Sequence, residues 1–350
     1  MTAIPPPAPT IANMIDAAHE AASERPRPHM GCSLLGHACD RFLWLTFRWA
    51  VASEFPGRIL RVFRRGQNEE AIIVADLRRI GIDIRQTGTS QSRVNLGCHV
   101  SGSIDGVIEK GVPEAPAKRH VAEFKTHSLK SFNALEKDGV MESKPMHWAQ
   151  VQLYMHGTKI DRALYLAVCK DDDRIYTERI RYDKSAAENL IARGHRLALA
   201  ERMPEPLSAD PTWYACKYCN CHDLCHVSKM TKEVNCRTCA HVTPMPDGTW
   251  RCAYHDADGI PVDYQRTGCE SHVLHPDLVP WKRLDSSDQW TALYEHDGHQ
   301  FNNGTPDANC FASKELIANL KACVHQDQFV QDVRVDMGAR IDVETDDIPF

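Results

Sequence analysis

The sequence predicts an α/β fold with a mixed central sheet flanked by helices, and three observations predict it. Short apolar stretches at 94–100, 103–109 and 120–126 read as strands. Two more, Arg162–Cys169 and Arg174–Arg181, flank Asp171-Asp172-Asp173, which reads as a solvated hairpin turn, although three clustered acids also suggest a metal site. Segments of helical spacing surround these strands: Gln67–Ile80, 129–138, 145–157 and Asp183–Arg202, the last ended by Pro204 and Pro206. Central strands with flanking helices bury one face of each element against the other, the layered α/β solution.

Ahead of this core, residues 1–30 read as a flexible arm rich in Pro and Ala, with one short helix near Ile11–Ser23. Leu34–Val51 reads as a helix carrying Cys39, Arg41, Trp44 and Trp49. Arg58, Arg61, Arg64 and Arg65 form a basic cluster that serves equally as a solvated helix face or as a grip on a phosphate backbone. The amphipathic helix Gln67–Ile80 is expected to start after Gly66.

Bulk properties narrow the class. The chain has 350 residues, enough for one large domain and smaller modules. A hydrophobic share of 43% with 25% charged residues is that of an ordinary soluble protein. No apolar run approaches the ~20 residues that span a bilayer, so no membrane association is expected. The start, Met-Thr-Ala-Ile-Pro-Pro-Pro, lacks a basic region followed by an apolar core, so it does not read as a signal peptide and a cytoplasmic location is expected. In that reducing compartment fourteen cysteines argue for metal ligation over disulfides. The net charge of −6 divides unevenly: residues 1–235 carry +4 and residues 236–350 carry −10. Phosphate contacts need local Lys and Arg, so an acidic total does not exclude a nucleic-acid partner.

The chemistry centres on His120-Val121-Ala122-Glu123-Phe124-Lys125-Thr126, read with Gly102-Ser103-Ile104-Asp105 upstream. Alternation along a strand puts Glu123 and Lys125 on one face. If the strand holding Asp105 pairs with theirs, two carboxylates and one ammonium converge. Carboxylates suit Mg²⁺ or Mn²⁺, which can polarise a phosphodiester and activate water. Downstream, Gln150 and Tyr154 stand at i and i+4 on one helical face. An E-x-K triplet alone is equally a surface salt bridge. His127, Ser128, Lys130, Lys144 and His147 bracket these segments and suit a DNA backbone, though each singly is unremarkable.

The pattern G-x-x-D, E-x-K, Q-x-x-x-Y resembles the PD-(D/E)XK nuclease superfamily, and within it the RecB/AddB-like branch. The resemblance covers about residues 31–230 and implies a restriction-endonuclease-like core. It implies that Asp105 and Glu123, with the Phe124 carbonyl, hold Mg²⁺ or Mn²⁺, that Lys125 positions the attacking water, and that Gln150 and Tyr154 orient the lysine or the DNA. In this branch a helix after an Arg-Gly pair supplies another ligand. Arg65-Gly66 followed by Glu69-Glu70 resembles that arrangement and makes Glu70 the choice; the alternative is a first-turn glutamate favoured by the helix dipole.

Two cysteine sets follow. Cys216-x₂-Cys219-x₅-Cys225, with Cys221 extra, offers three thiolates. In the AddB nuclease domain and the iron–sulfur nucleases of CRISPR adaptation, a cysteine upstream of the nuclease motifs completes the set. Cys39 in Cys-Asp-Arg-Phe-Leu-Trp resembles it, which implies a 4Fe–4S cluster on Cys39, Cys216, Cys219 and Cys225. Cys32 is the rival for Cys39, Cys221 or His222 for a downstream ligand, and zinc for the cluster. The second set, Cys236, Cys239, Cys252 and Cys269, lies in a Pro-, Gly- and Asp-rich module at 236–280 that buries little core. Zn²⁺ on these four is the leading expectation, with His241, His255 and His272 as substitutes and reduced loop thiols as the alternative.

Residues 281–330 read as a small polar segment with one helix, Ser313–Val324, capped by Ser313, and 331–350 as an acidic disordered tail. The end, Asp346-Asp347-Ile348-Pro349-Phe350, resembles the terminal tip of bacterial single-stranded-DNA-binding proteins, which implies host partners that read such a tip. Taken together, the expectation is a metal-dependent deoxyribonuclease of phage type, an exonuclease acting in recombination, repair or replication. Its expected partners are DNA and, for a phage enzyme, an annealing protein. The alternatives are a structure-specific or flap endonuclease and a catalytically idle DNA-binding adaptor.

Overall fold

The strand carrying Glu123 and Lys125 is the centre of the architecture. The computed structural model describes residues 10–52, 54–319 and 323–341. The Asp346–Phe350 tip therefore lies outside the described residues. The fold is mixed α/β, with several sheets flanked by helices. The chain divides into two units: residues up to 37, 53–96 and 100–194 form the first, and 38–52, 97–99 and 195 onward form the second.

In the first unit β1 (Met30–Gly31), β3 (Arg93–Asn95) and β4 (Val100–Ser103) make a small sheet, order β1-β4-β3. The main sheet is β2 (Asp83–Arg85), β5 (Gly106–Lys110), β6 (His120–His127), β7 (Arg162–Cys169) and β8 (Ile175–Arg181), in the order β2-β5-β6-β7-β8. Within this sheet, among the described residues, only β6 and β7 run parallel. A parallel pair needs a long crossover, supplied here by the helices Leu129–Ser143 and Pro145–Thr158. The first of these breaks at Gly139 (φ 71°), where an added Cβ would sit 3.3 Å from the Glu178 carboxylate that receives the Val140 N–H.

One face of β6 is core. Ala122 and Phe124 join Leu164, Leu166 and Val168 of β7 and Ile73, Val74 and Leu77 of the helix Gly57–Arg79. Burying each large aliphatic side chain stabilises the layer by roughly 1.5–3 kcal/mol. That helix runs unbroken through Gly66, contrary to the expected start after it. A glycine costs a helix only about 1 kcal/mol, less than this buried face returns. Three of its four clustered arginines have partners within the chain: Arg61 pairs with Asp16, Arg64 with His19 and Arg65 with the Lys170 carbonyl.

Other elements also depart from expectation. The stretch 94–100 is two strands, because Gly97, Cys98 and His99 all take positive φ and turn the chain back. Helix within Leu34–Val51 is confined to Asp40–Phe47, with the Cys39 sulfur accepting the Phe42 N–H as cap. The acidic triplet is a turn: Asp171 caps Leu129 N–H and Asp172 binds Arg174.

The second unit holds β9 (Val242–Pro244) and β10 (Trp250–Cys252) as a hairpin, and a sheet of β11 (Lys282–Leu284), β12 (Ala292–His296), β13 (His299–Asn303) and β14 (Cys310–Phe311). This sheet replaces the polar segment expected there. Its core is Trp281, Tyr294, Phe301 and Phe311 with Ala292, Leu316 and Val324. The expected Ser313–Val324 helix is described only as Ser313–Ala318, and its N-cap is Ala312. The Ser313 hydroxyl is buried instead between His272 and Asn303. A further helix, Gln328–Met337, enters the tail expected to be disordered from residue 331. Arg334 anchors it through a buried ion pair with Glu315 at 2.7 Å and a bond to the Asp307 carbonyl at 2.8 Å.

Candidate active site

Asp105 lies where the chain leaves the small sheet at Ser103 and enters the main sheet at Gly106, not inside a strand as expected. Antiparallel pairing of β5 with β6 sets Gly106 opposite Ala122. Asp105 Oδ2 thereby accepts the Phe124 N–H at 2.7 Å. The carboxylate of one candidate ligand is thus tied to the backbone between the other two site residues. On the face of β6 opposite Phe124, the Lys125 ammonium donates to Glu123 Oε1. Glu123 is fully buried and its Oε2 has no hydrogen-bond partner among the described residues.

The electrostatics follow from burying several charges in one place. Burial pushes the Glu123 carboxyl up to about 8; Lys125 opposes this, while Asp105 and Glu70 add to it. Burial also raises Asp105, with Lys125 and the Phe124 N–H pulling the other way. Burial works against the charge on Lys125, yet Glu123, Asp105 and Glu70 hold its ammonium above the ordinary lysine value. Glu70, on the Gly57–Arg79 helix, is raised by burial and then by Asp105, and it accepts the Gln91 side-chain N–H at 3.3 Å. Glu70, Asp105, Glu123 and Lys125 therefore lie within one another's electrostatic reach.

Gln150 and Tyr154 project from the Pro145–Thr158 helix, and Gln150 donates to the Tyr154 hydroxyl at 3.0 Å. Burial raises the Tyr154 hydroxyl strongly, with Glu123, Cys32 and Asp105 adding. This tyrosine explains the glycine of G-x-x-D. A Cβ on Gly102 would come within 2.9 Å of the Tyr154 ring and hydroxyl and 3.1 Å of the Cys32 Cβ. Cys32 consequently belongs to this site. Cys39, its rival as a cluster ligand, lies in the other unit.

Two contributors escaped the sequence reading. Gln91 sits in an irregular segment with no pattern to mark it. Tyr165 stands beside Glu123 in the β6–β7 register and bonds both His127 Nε2 (3.0 Å) and His147 Nδ1 (2.8 Å). Spacing did carry a signal for His147, since 147, 150 and 154 share a helix face.

The cysteine sets are gathered within the second unit. Cys216 is raised by burial and then by Cys39 and Cys219. Cys225 is raised by burial, opposed by Arg41, and feels Cys219 and Cys39. Cys221 hydrogen-bonds Cys219 and lowers that thiol, while its own is raised. Cys236, Cys239, Cys252 and Cys269 line one cavity of about 300 Å³ together with His241, His255 and His272. Cys239 Sγ accepts the Val273 N–H at 3.4 Å and the His241 N–H, and Cys269 accepts that of Ser271. Among the described residues no three His, Cys, Asp or Glu side chains are arranged so that they could hold a metal ion. The donor types fit nonetheless. The carboxylate set, with its orphaned Glu123 oxygen, suits a hard divalent cation, and the thiol sets suit zinc or an iron–sulfur cluster.

No family model matches this chain, and no curated protein does. Among solved structures it is similar to the crystal structure of SSO0001, with TM-score 0.39 and 15% identity over 62% of this chain and 96% of that one. It is also similar to LHK-Exo in complex with dAMP, with TM-score 0.35 and 14% identity over 53% of this chain and 89% of that one. The alkaline exonuclease LHK-Exo from Laribacter hongkongensis gives TM-score 0.34 and 12% identity, covering 52% and 90% of the two chains. Among the described residues no helix is long and apolar enough to cross a membrane.

Proposed function

We propose that the chain is a Mg²⁺- or Mn²⁺-dependent deoxyribonuclease of the PD-(D/E)XK type, acting as an exonuclease. The observation that carries this reading is the burial of Glu123 beside Asp105, Glu70 and Lys125, with one Glu123 oxygen left without a partner. Clustered buried acids either take up a proton or gain a counter-charge that repays their desolvation, and a divalent cation supplies the second. Asp105, Glu123 and Glu70 would hold the ion, which supplies Lewis-acid activation of a phosphodiester and of water. Lys125 orients the attacking water and offsets charge developing on phosphate. The Phe124 N–H fixes Asp105, and Tyr154, held by Gln150, lies in the field of Glu123 and Asp105.

The test uses end-labelled linear DNA and covalently closed circles with Mg²⁺. Cleavage of the linear substrate alone supports exonuclease action, and cleavage of both supports an endonuclease. Glu123→Gln and Lys125→Ala proteins with native circular dichroism should lose all measurable cleavage. Full activity in either sinks the assignment.

We also propose a 4Fe–4S cluster on Cys39, Cys216, Cys219 and Cys225, and Zn²⁺ on Cys236, Cys239, Cys252 and Cys269. In support, Cys216 and Cys225 each feel the charge of Cys39 and Cys219, and Cys236, Cys239, Cys252 and Cys269 line one cavity. Protein prepared without oxygen should contain about four iron and four sulfide for a cluster of this type and one zinc. Zinc in both sites without sulfide rejects the cluster.

A further inference from the structure

We propose that His147 is a substrate-positioning residue of this site, its Nε2–H directed at a non-bridging oxygen of the bound phosphodiester, and that Tyr165 and His127 hold its ring for that purpose. The inference rests on the nuclease reading above and deepens it.

The geometry starts from the helix Pro145–Thr158. His147, Gln150 and Tyr154 occupy i, i+3 and i+7, one stripe of that helix. Tyr154 faces the field of Glu123 and Asp105, and His147 faces that of Lys125. The stripe therefore follows the charged face of β6 from its carboxylates to its lysine. Nothing in the proposed chemistry so far uses the His147 end.

The ring is held with care. His147 Nδ1 lies 2.8 Å from the Tyr165 hydroxyl, and the ring stacks on His127 (centroids 5.6 Å, 30°) and on Tyr165 (5.9 Å, 27°). Tyr165 is fully buried, and its oxygen also lies 3.0 Å from His127 Nε2. His127 Nδ1 in turn meets Ser131 Oγ at 3.2 Å. One hydroxyl carries one proton, so Tyr165 can donate to only one of its two histidines and must accept from the other. A phosphodiester offers only acceptors. The arrangement that suits it runs in one direction: Ser131 donates to His127 Nδ1, His127 Nε2–H to Tyr165, and Tyr165 to His147 Nδ1. That order leaves the His147 proton on Nε2. A chain of bonds pointing one way polarises along its length and strengthens the final donor.

Nε2 is the end left over. It has no hydrogen-bond partner among the described residues and is not enclosed, and the residue is half-buried. Burial, followed by Lys125, His127 and Lys144, pushes His147 down to about 3. The ring therefore works as a neutral donor at any ordinary pH and not as a proton source for the leaving oxygen.

The experiment measures single-turnover cleavage of end-labelled DNA by the full chain with Mg²⁺, alongside DNA affinity and thermal melting. Four variants are compared: His147→Phe, His147→Gln, Tyr165→Phe and Glu123→Gln. Phenylalanine keeps the stacking and removes both nitrogens, whereas glutamine restores an N–H near the Nε2 position. His147→Phe should slow cleavage by about 10²-fold, the effect of losing one transition-state donor, while DNA affinity changes little. His147→Gln should recover at least about a tenth of wild-type rate, and Tyr165→Phe should fall between the two. A purely structural role would move melting temperature and leave glutamine no better than phenylalanine. Equal rates for His147→Phe and wild type, or for His147→Phe and His147→Gln, overturn the proposal. If His147→Phe does not fold, the Gln and Tyr165→Phe comparison decides it. Wild-type protein that does not cleave, or Glu123→Gln that cleaves normally, overturns the nuclease reading itself. Loss in Glu123→Gln with normal His147→Phe overturns the histidine proposal alone.

Discussion

The two units both bury charged side chains, and they treat them in opposite ways. In the second unit Arg237 is enclosed among aromatic rings and neutral acceptors. Its guanidinium lies 3.7 Å from the Trp49 ring centre and 4.7 Å from that of Trp250, and it donates to Gln265 (2.9 Å) and to the Phe47 carbonyl (2.8 Å). Arg334 and Glu315 are paired one cation to one anion, with Glu315 also accepting the Ala312 and Ile341 N–H groups, although Arg334 Nε has no hydrogen-bond partner among the described residues. In the first unit Glu70, Asp105 and Glu123 share one ammonium, and a Glu123 oxygen has no partner among the described residues. Matched burial holds a fold together. Mismatched burial is tolerated where the imbalance is put to use, and such sites are where perturbed carboxyls and amines gather.

This contrast can be broken most directly at Lys125. Lys125→Ala or Glu123→Gln should lower cleavage by at least about 10³-fold, the combined loss of positioning and charge stabilisation. Melting should shift by only a few degrees. A variant that cleaves normally, or that unfolds outright, would make this cluster architectural like the others.

Arg334→Met should do the reverse. It strands Glu315 in the interior and should cost about 3–5 kcal/mol, read as a lowered urea midpoint, with cleavage per folded molecule unchanged. A loss below about 1 kcal/mol would mean the pair is solvated as a surface pair is.

Acid sharpens the comparison further. In the second unit His99, His272, His275 and His325 are each pushed down to about 4, chiefly by burial. Unfolded, they bind protons near pH 6.5. Their folded values are lower, so their stabilising contribution is complete above pH 6.5 and is lost as pH falls toward 4. Thermal melts between pH 7.5 and 4.5 should show steep destabilisation across that window. A flat profile would contradict the neutral burial of these rings.

The smallest effect concerns the β12–β13 turn. Asp297 (φ 48°) and Gly298 (φ 79°) form a two-residue loop between paired His296 and His299. Nothing lies within 4 Å of an added Gly298 Cβ. Gly298→Ala should therefore cost about 1 kcal/mol through backbone conformation alone, measured by chemical denaturation.

That turn also shows what could be read from the sequence. Asp-Gly between alternating residues is a strong hairpin signal, yet the surrounding Asn, His and Gln masked the strands because unit two packs aromatics and polar networks where unit one packs aliphatics. Around Glu123 the alternation was legible, since Val121, Ala122 and Phe124 are plainly apolar. The E-x-K and Q-x-x-x-Y spacings placed their residues correctly because strand and helix periods are local properties. Asp105 could be matched to the site, though its position at a change of sheet could not, since no local rule marks where a chain leaves one sheet for another. The Gly66 break failed for the related reason that long-range packing outweighs a local preference.

The bond from the Phe124 amide to Asp105 has a practical consequence. One main-chain proton, placed between Glu123 and Lys125, is held by the side chain of the third site residue. Its exchange with deuterated solvent, or its nuclear resonance, would follow the Asp105 carboxylate directly. That single amide is a built-in reporter, able to register ion loading, substrate arrival or local opening of the sheet without any label attached to the protein.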